Sequence, residues 1–136
     1  MVKELSPPEV YEILSQQGEY EEAQYDQDEM QKVLTMVLED YAFGKRLRNV
    51  PNPSWRVIFN VHYDILRELC DQLIRFKHQK ISNHQGLFAF MVLHFKELEL
   101  DWSFLERIRI ARNRNKYQSL DISKEMWQGV QLFSLI

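Results

Sequence analysis

The sequence predicts an all-α fold, an up-and-down bundle of four to six helices. Three observations predict it. The 136 residues include only 4 Gly and 4 Pro, too few for a turn-rich β fold. Apolar residues recur at spacings of three and four along several segments, the period of a helix face. Residues that start helices stand ahead of those segments, and no pair of runs reads as paired strands. The length suits one domain, 1–136, with 45% hydrophobic and 27% charged residues in ordinary globular balance. Within it, residues 1–27 read as an acidic N-terminal arm with a short helix, and 28–136 as the core bundle.

Six helices can be placed in order. Ser6 followed by Pro7 starts the first, since proline suits a first turn. It runs to about Gln17 with Val10, Ile13 and Leu14 on one side, and Gly18 ends it. The polar, acidic stretch after Gly18 reads as a mobile connection. Asp26 or Asp28 caps a second helix to about Arg48, with Met30, Val33, Leu34, Val37, Leu38 and Tyr41 as its stripe. Asn49 to Pro53 stops it, because proline removes a donor and restricts its predecessor. Ser54 caps the third and longest helix, to about Gln79. Its stripe is Ile58, Val61, Ile65, Leu69, Leu73 and Phe76, and its length of ~35–40 Å makes it the central pillar. Ser82 or Asn83 opens a fourth, to about Leu98, apolar around its whole circumference (Phe88, Phe90, Met91, Val92, Leu93, Phe95). Such a helix is buried on most sides, which suggests burial against a second subunit as well. Asp101 caps a fifth, to about Asn115. Ser123 caps a sixth, carrying Met126, Trp127, Val130, Leu132 and Phe133 towards the C-terminus.

Composition excludes several classes. The single cysteine, Cys70, cannot form an internal disulfide and falls on an apolar helical stretch, so it reads as a small buried hydrophobe in a reducing compartment. The N-terminal stretch has no apolar core of signal-peptide type, and no run approaches the roughly 18 apolar residues of a membrane span. A cytoplasmic protein with no membrane association is expected. The four histidines (His62, His78, His84, His94) show no metal-ligand spacing and read as surface or core filling. There is no phosphate-cradling glycine loop and no nucleophile elbow, so no cofactor and no metal are expected.

Charge is unevenly placed. The net charge is −3, but residues 1–30 hold nine acids and one lysine, whereas 107–116 hold five bases and no acid. An acidic arm and a basic patch underlie the small total. The basic patch is on the fifth helix. Leu105 and Ile108 mark its apolar face, and Arg112, seven residues past Leu105, is only about 20° away around the helix axis. Asn115 follows one turn later on that face. A guanidinium directed inward needs a partner or a wet cleft. Arg112 is therefore either a structural arginine, salt-bridged or carbonyl-capped near a helix C-terminus, or a site residue. Arg107, Arg109, Arg114 and Lys116 spread around the helix as a solvated face or a phosphate-binding patch.

The run Arg112-Asn113-Arg114-Asn115-Lys116-Tyr117, late in an amphipathic helix, resembles the signature of HEPN domains. The resemblance covers about residues 28–134 and includes the long third helix and the short link into the fourth. It implies a four- or five-helix bundle, commonly dimeric, in a family with many metal-independent ribonucleases. By resemblance Arg112 stabilises the scissile phosphate, Asn113 orients it, and Arg107, Arg109, Arg114, Asn115 and Lys116 contact RNA. The departure is at Tyr117, which stands where the family's ribonucleases carry histidine. By resemblance Tyr117 takes that catalytic place; with an ordinary pKa near 10, tyrosine can donate a proton or a hydrogen bond but is a poor base at neutral pH.

The leading expectation is thus a HEPN-like, RNA-associated homodimer, with two Arg112–Tyr117 segments at one cleft and cleavage a weaker expectation than binding. The alternative is a non-catalytic protein-interaction module, such as a partner of a nucleotidyltransferase or a toxin–antitoxin component. The acidic segment Glu19–Glu29 would then cover the basic site or dock on a basic partner. A third reading is a small-molecule pocket lined by Trp55, Trp102 and Trp127.

Overall fold

The computed structural model describes residues 4–117 and 121–130, and of Tyr117 and Val130 the backbone alone. Six α-helices are present among the described residues: α1 Pro7–Gln16, α2 Gln27–Leu47, α3 Trp55–Arg75, α4 His84–His94, α5 Trp102–Tyr117 and α6 Lys124–Val130. The all-α expectation holds, with one addition. Two short strands, β1 Glu21–Glu22 and β2 Gln79–Lys80, pair antiparallel.

The helix starts follow from side-chain capping of otherwise unsatisfied N–H groups. Ser6 and Glu9 form a reciprocal capping box at α1. Asp26, not Asp28, caps α2, its Oδ1 accepting from the Asp28 and Glu29 amides at 2.9 and 3.2 Å. Ser54 caps α3, Asn83 caps α4 by accepting from the Gly86 amide at 2.9 Å, and the Asp101 carboxylate accepts from the Ser103 amide ahead of α5. Ser123 accepts from the Met126 amide at the start of α6. Two ends differ from expectation. α3 stops at Arg75, because Phe76–His78 turn out through a positive φ at His78. The 21 residues of α3 therefore span about 31 Å. α4 stops at His94 and a single 3-10 turn, Lys96–Leu98, follows.

The core sits on α4. Leu87, Phe88, Ala89 and Met91 have no solvent exposure. α1, α3 and α5 pack around them within the chain, which accounts for the apolar circumference of α4 without a second subunit. Segment 1–27 is more than an arm: Val10 and Leu14 of α1 belong to the core, and the acidic link pairs as β1 with β2. Close approach of α4 to α1 is possible because residue 86 is glycine. A Cβ there would be 2.6 Å from both Ile81 Cδ1 and Leu14 Cδ1. α2 is the least embedded helix. It lies along α3, with only Val37 and Gly44 buried, and Leu38 of the expected stripe is 68% exposed. No helix among the described residues is long and apolar enough to cross a membrane.

α6 is attached through aromatic side chains. Trp127 is buried, stacks on Trp55 at 6.5 Å and meets the His62 ring at 4.9 Å. The Arg48 guanidinium lies 5.1 Å above the Trp127 ring. Trp102 donates from Nε1 to the Leu5 carbonyl at 3.0 Å. Trp55 and Trp127 thus pack against each other, and Trp102 anchors the segment ahead of α1. Leu132 and Phe133, expected on the sixth helix, lie outside the described residues.

Candidate functional site

Arg112 lies on the inward face of α5, as the periodicity predicts, and is 9% exposed. It is held from three directions by α3. Its Nη1 is 3.0 Å from Asp64 Oδ1 and donates to the Asn60 carbonyl at 3.4 Å, and the guanidinium lies 5.2 Å over the Tyr63 ring. One turn further on, Asn115 Oδ1 accepts from Asn60 Nδ2 at 3.1 Å. A polar seam therefore joins α3 and α5 where both helices would otherwise present apolar groups. The partners required for a buried guanidinium are thus present: a carboxylate and a backbone carbonyl, with an aromatic face beside them.

Arg112 also opens onto a cavity of about 300 Å³ lined by Asp64, Arg67, His84, Arg112, Asn113 and Lys116. Asp64 is 42% exposed, so the pair is hydrated on its carboxylate side while the guanidinium is buried. Three of the predicted residues, Arg112, Asn113 and Lys116, come together here. The other predicted bases do not. Arg107 is exposed, lies 5.7 Å over the Phe104 ring and lines a separate, largely apolar cavity with Ala111 and Met126. Arg109 forms a two-pronged contact with Glu106, Nε to Oε1 at 2.9 Å and Nη2 to Oε2 at 3.0 Å. Arg114 is exposed. The Tyr117 side chain lies outside the described residues.

Four residues of the site come from elsewhere in the chain: Tyr63, Asp64 and Arg67 on α3 and His84 at the head of α4. The His84 ring is tied to Tyr63, with Tyr63 Oη 2.9 Å from His84 Nδ1. The head of α4 is tied to α5 by Gln85 Nε2 donating to Glu106 Oε2 at 3.0 Å, and the same Glu106 holds Arg109. Burial, followed by the charges of Arg67 and Arg112, holds the His84 pKa below its ordinary 6.5, so the ring is neutral at pH 7. Burial raises the Tyr63 hydroxyl to about 12 despite the opposing charge of Arg112, so it remains a phenol. Sequence reasoning passed over His84 because its partners are distant in the chain. The only local signal is its place beside a helix-capping asparagine.

A larger cavity, about 670 Å³, adjoins the first and shares Arg67 and His84 with it. Glu19, Glu21, Glu68, Asp71, Arg75 and Lys80 are among its walls. Asp71 receives Arg67 Nη1 at 2.8 Å, and Glu21 meets Lys80 at 3.8 Å. Part of the acidic segment is thus beside the basic site rather than on top of Arg112. Among the described residues, no three or more His, Cys, Asp or Glu converge as metal ligands.

Comparison with protein-family models, with curated proteins and with solved structures finds no match.

Proposed function

We propose that the protein is a HEPN-like, RNA-associated helical bundle that grips phosphates in the Arg112 cavity. One observation carries this reading. The inward arginine sits at the edge of a polar cavity whose rim adds Arg67 and Lys116, with Asn113 and His84 as further polar groups. Arg112 supplies a fixed, partly desolvated guanidinium, the geometry that favours planar recognition of a phosphate. Exposed Lys116 supplies hydrated charge that draws the strand in, and Arg67, held by Asp71 at 2.8 Å, adds a second guanidinium at the rim. In the homodimer we propose, two such cavities act on one RNA. Met36 and Phe43, seven residues apart on α2 and each about half exposed, offer apolar surface to the second copy.

Titration of labelled single-stranded RNA at low and moderate salt tests the reading. Binding that weakens steeply with salt and is reduced in Arg112→Gln and in Lys116→Gln supports it; absence of binding by the intact protein at low salt removes it. Sedimentation or light scattering tests the dimer. The second reading, a non-catalytic protein-interaction module, is favoured by the pairing of Arg112 with Asp64 at 3.0 Å, since a paired arginine needs no ligand. Under it, Arg112→Gln lowers stability while the intact protein shows no RNA affinity at all.

A further inference from the structure

We infer that His84, positioned by Tyr63, is the proton acceptor of this site and makes it an RNA-cleaving one. The inference rests on the phosphate-gripping reading and adds the chemistry that the α5 run lacks. His84 shares the cavity with Arg67, Arg112 and Lys116, so a phosphate held by those cations has an imidazole beside it. The ring is fixed rather than mobile. Tyr63 is 3% exposed and its hydroxyl is 2.9 Å from His84 Nδ1, while Gln85 and Glu106 pin the head of α4 to α5.

The tautomer decides whether the ring can act as a base. We take the tautomer with the proton on Nδ1, donating to Tyr63 Oη, which puts the lone pair on Nε2; the reverse bond, Tyr63 donating to Nδ1, would leave no base there. The 2′-hydroxyl then gives its proton to Nε2 as its oxygen attacks the adjacent phosphorus. The 2′-O–P bond forms and the P–O5′ bond breaks. The departing 5′-oxygen takes a proton from water, and the resulting hydroxide is neutralised by the proton on His84. The products are a 2′,3′-cyclic phosphate and a 5′-hydroxyl end. Arg112, at the edge of the cavity, faces the charge that grows on the phosphoryl oxygens. The charges that act on His84 are Arg67 and Asp64 from α3 and Arg112 and Arg109 from α5; Tyr63 holds its Nδ1, Lys116 shares its cavity, and Glu19, Glu21, Glu68, Asp71, Arg75 and Lys80 line the adjoining cavity that it also faces. Burial is the largest of these effects and, with the arginine charges, outweighs Asp64 and keeps the base form populated at neutral pH.

The test uses the full chain and a labelled single-stranded RNA of mixed sequence, with single-turnover rates read at saturating protein. Binding is read separately on a 2′-O-methylated copy of the strand, which cannot undergo the attack. His84→Gln and His84→Asn should each lower the saturated rate by on the order of 10²–10⁴ while leaving the methylated strand bound within about twofold. Tyr63→Phe should lower the rate less and move the acidic limb of the pH profile, which a purely structural role would not do. An unchanged saturated rate in both His84 variants overturns the proposal, whatever happens to binding. Binding of the methylated strand without cleavage by the parent overturns it and leaves phosphate gripping standing. Absence of binding by the parent overturns both.

Discussion

Two buried side chains show how environment sets chemistry at single residues. The Cys70 thiol is 3% exposed, and burial, with a smaller push from Asp71, raises it to about 12. Thiolate is the reactive form, so Cys70 should not react with a thiol reagent in the folded protein and should react fully once denatured. Fast labelling under native conditions would show that α3 opens locally. His62 behaves differently because it has two fixed partners. Arg48 can only donate, so His62 Nε2 accepts at 2.9 Å and Nδ1 donates to the Ile58 carbonyl at 2.8 Å. The ring is held neutral, its pKa lowered from 6.5 mainly by burial and also by the Arg48 charge. A lowered folded pKa means that the unfolded chain takes up the proton first. Stability is therefore full above about 6.5 and is lost as the pH falls through the folded value. Denaturant titrations between pH 7 and 5 should show this decline, and a smaller one in His62→Asn. A decline remains there because His84 titrates with the same sign. Arg112 was legible at this scale, since seven residues after Leu105 is nearly two full turns. His84 was not, because its meaning comes from Tyr63 and Arg112, neither of them near it in sequence.

At the scale of elements, helix type and order were legible because capping residues and apolar spacing are local. What was not legible is which faces meet. The stripe read on α2 includes Leu38, now mostly exposed, because α2 packs mainly on α3 and needs only a narrow strip. The stripe on α3 was too narrow, because that helix is covered from several sides and also buries Phe59, Tyr63, Leu66 and Cys70. The acidic link was read as mobile because polar composition does not reveal a two-residue strand pair. Glycine at 86 was unreadable for the same reason: its role is to let α1 and the Tyr20 hydroxyl approach α4. Tyr20 Oη donates to the Gly86 carbonyl at 2.7 Å. Gly86→Ala should cost about 1–3 kcal/mol, although alanine is the better helix former, because the added methyl displaces Ile81 and Leu14. Thermal or denaturant unfolding measures it. A stabilised variant would mean that those two side chains swing aside freely.

For the molecule as a whole, the question is how an acidic protein presents a basic cavity to an anion. The net charge is −3, so long-range attraction is weak and the proposed RNA binding would rest on local cations at short range. If Arg67, Arg112 and Lys116 each neutralise one phosphate, the logarithm of affinity should fall with the logarithm of salt at a slope of about −2 for a single strand. Lys116→Gln should reduce that slope by roughly 0.7. A slope near zero would place the contacts elsewhere. The acidic segment enters the same balance. Deleting residues 1–27 is a poor probe of masking, since it removes Val10 and Leu14 from the core. Charge-neutral substitution preserves the fold. Glu19 and Glu21 line the cavity that shares Arg67 and His84 with the basic one, close enough to oppose a bound phosphate at low ionic strength. Both are exposed, so each effect is small and screened. The double variant Glu19→Gln, Glu21→Gln should bind RNA about twofold to fivefold more tightly at low salt, the gain vanishing when the Debye length falls to a few ångströms. Equal affinities at low salt would separate the acidic segment from the site, and its role would then be confined to holding β1 against β2.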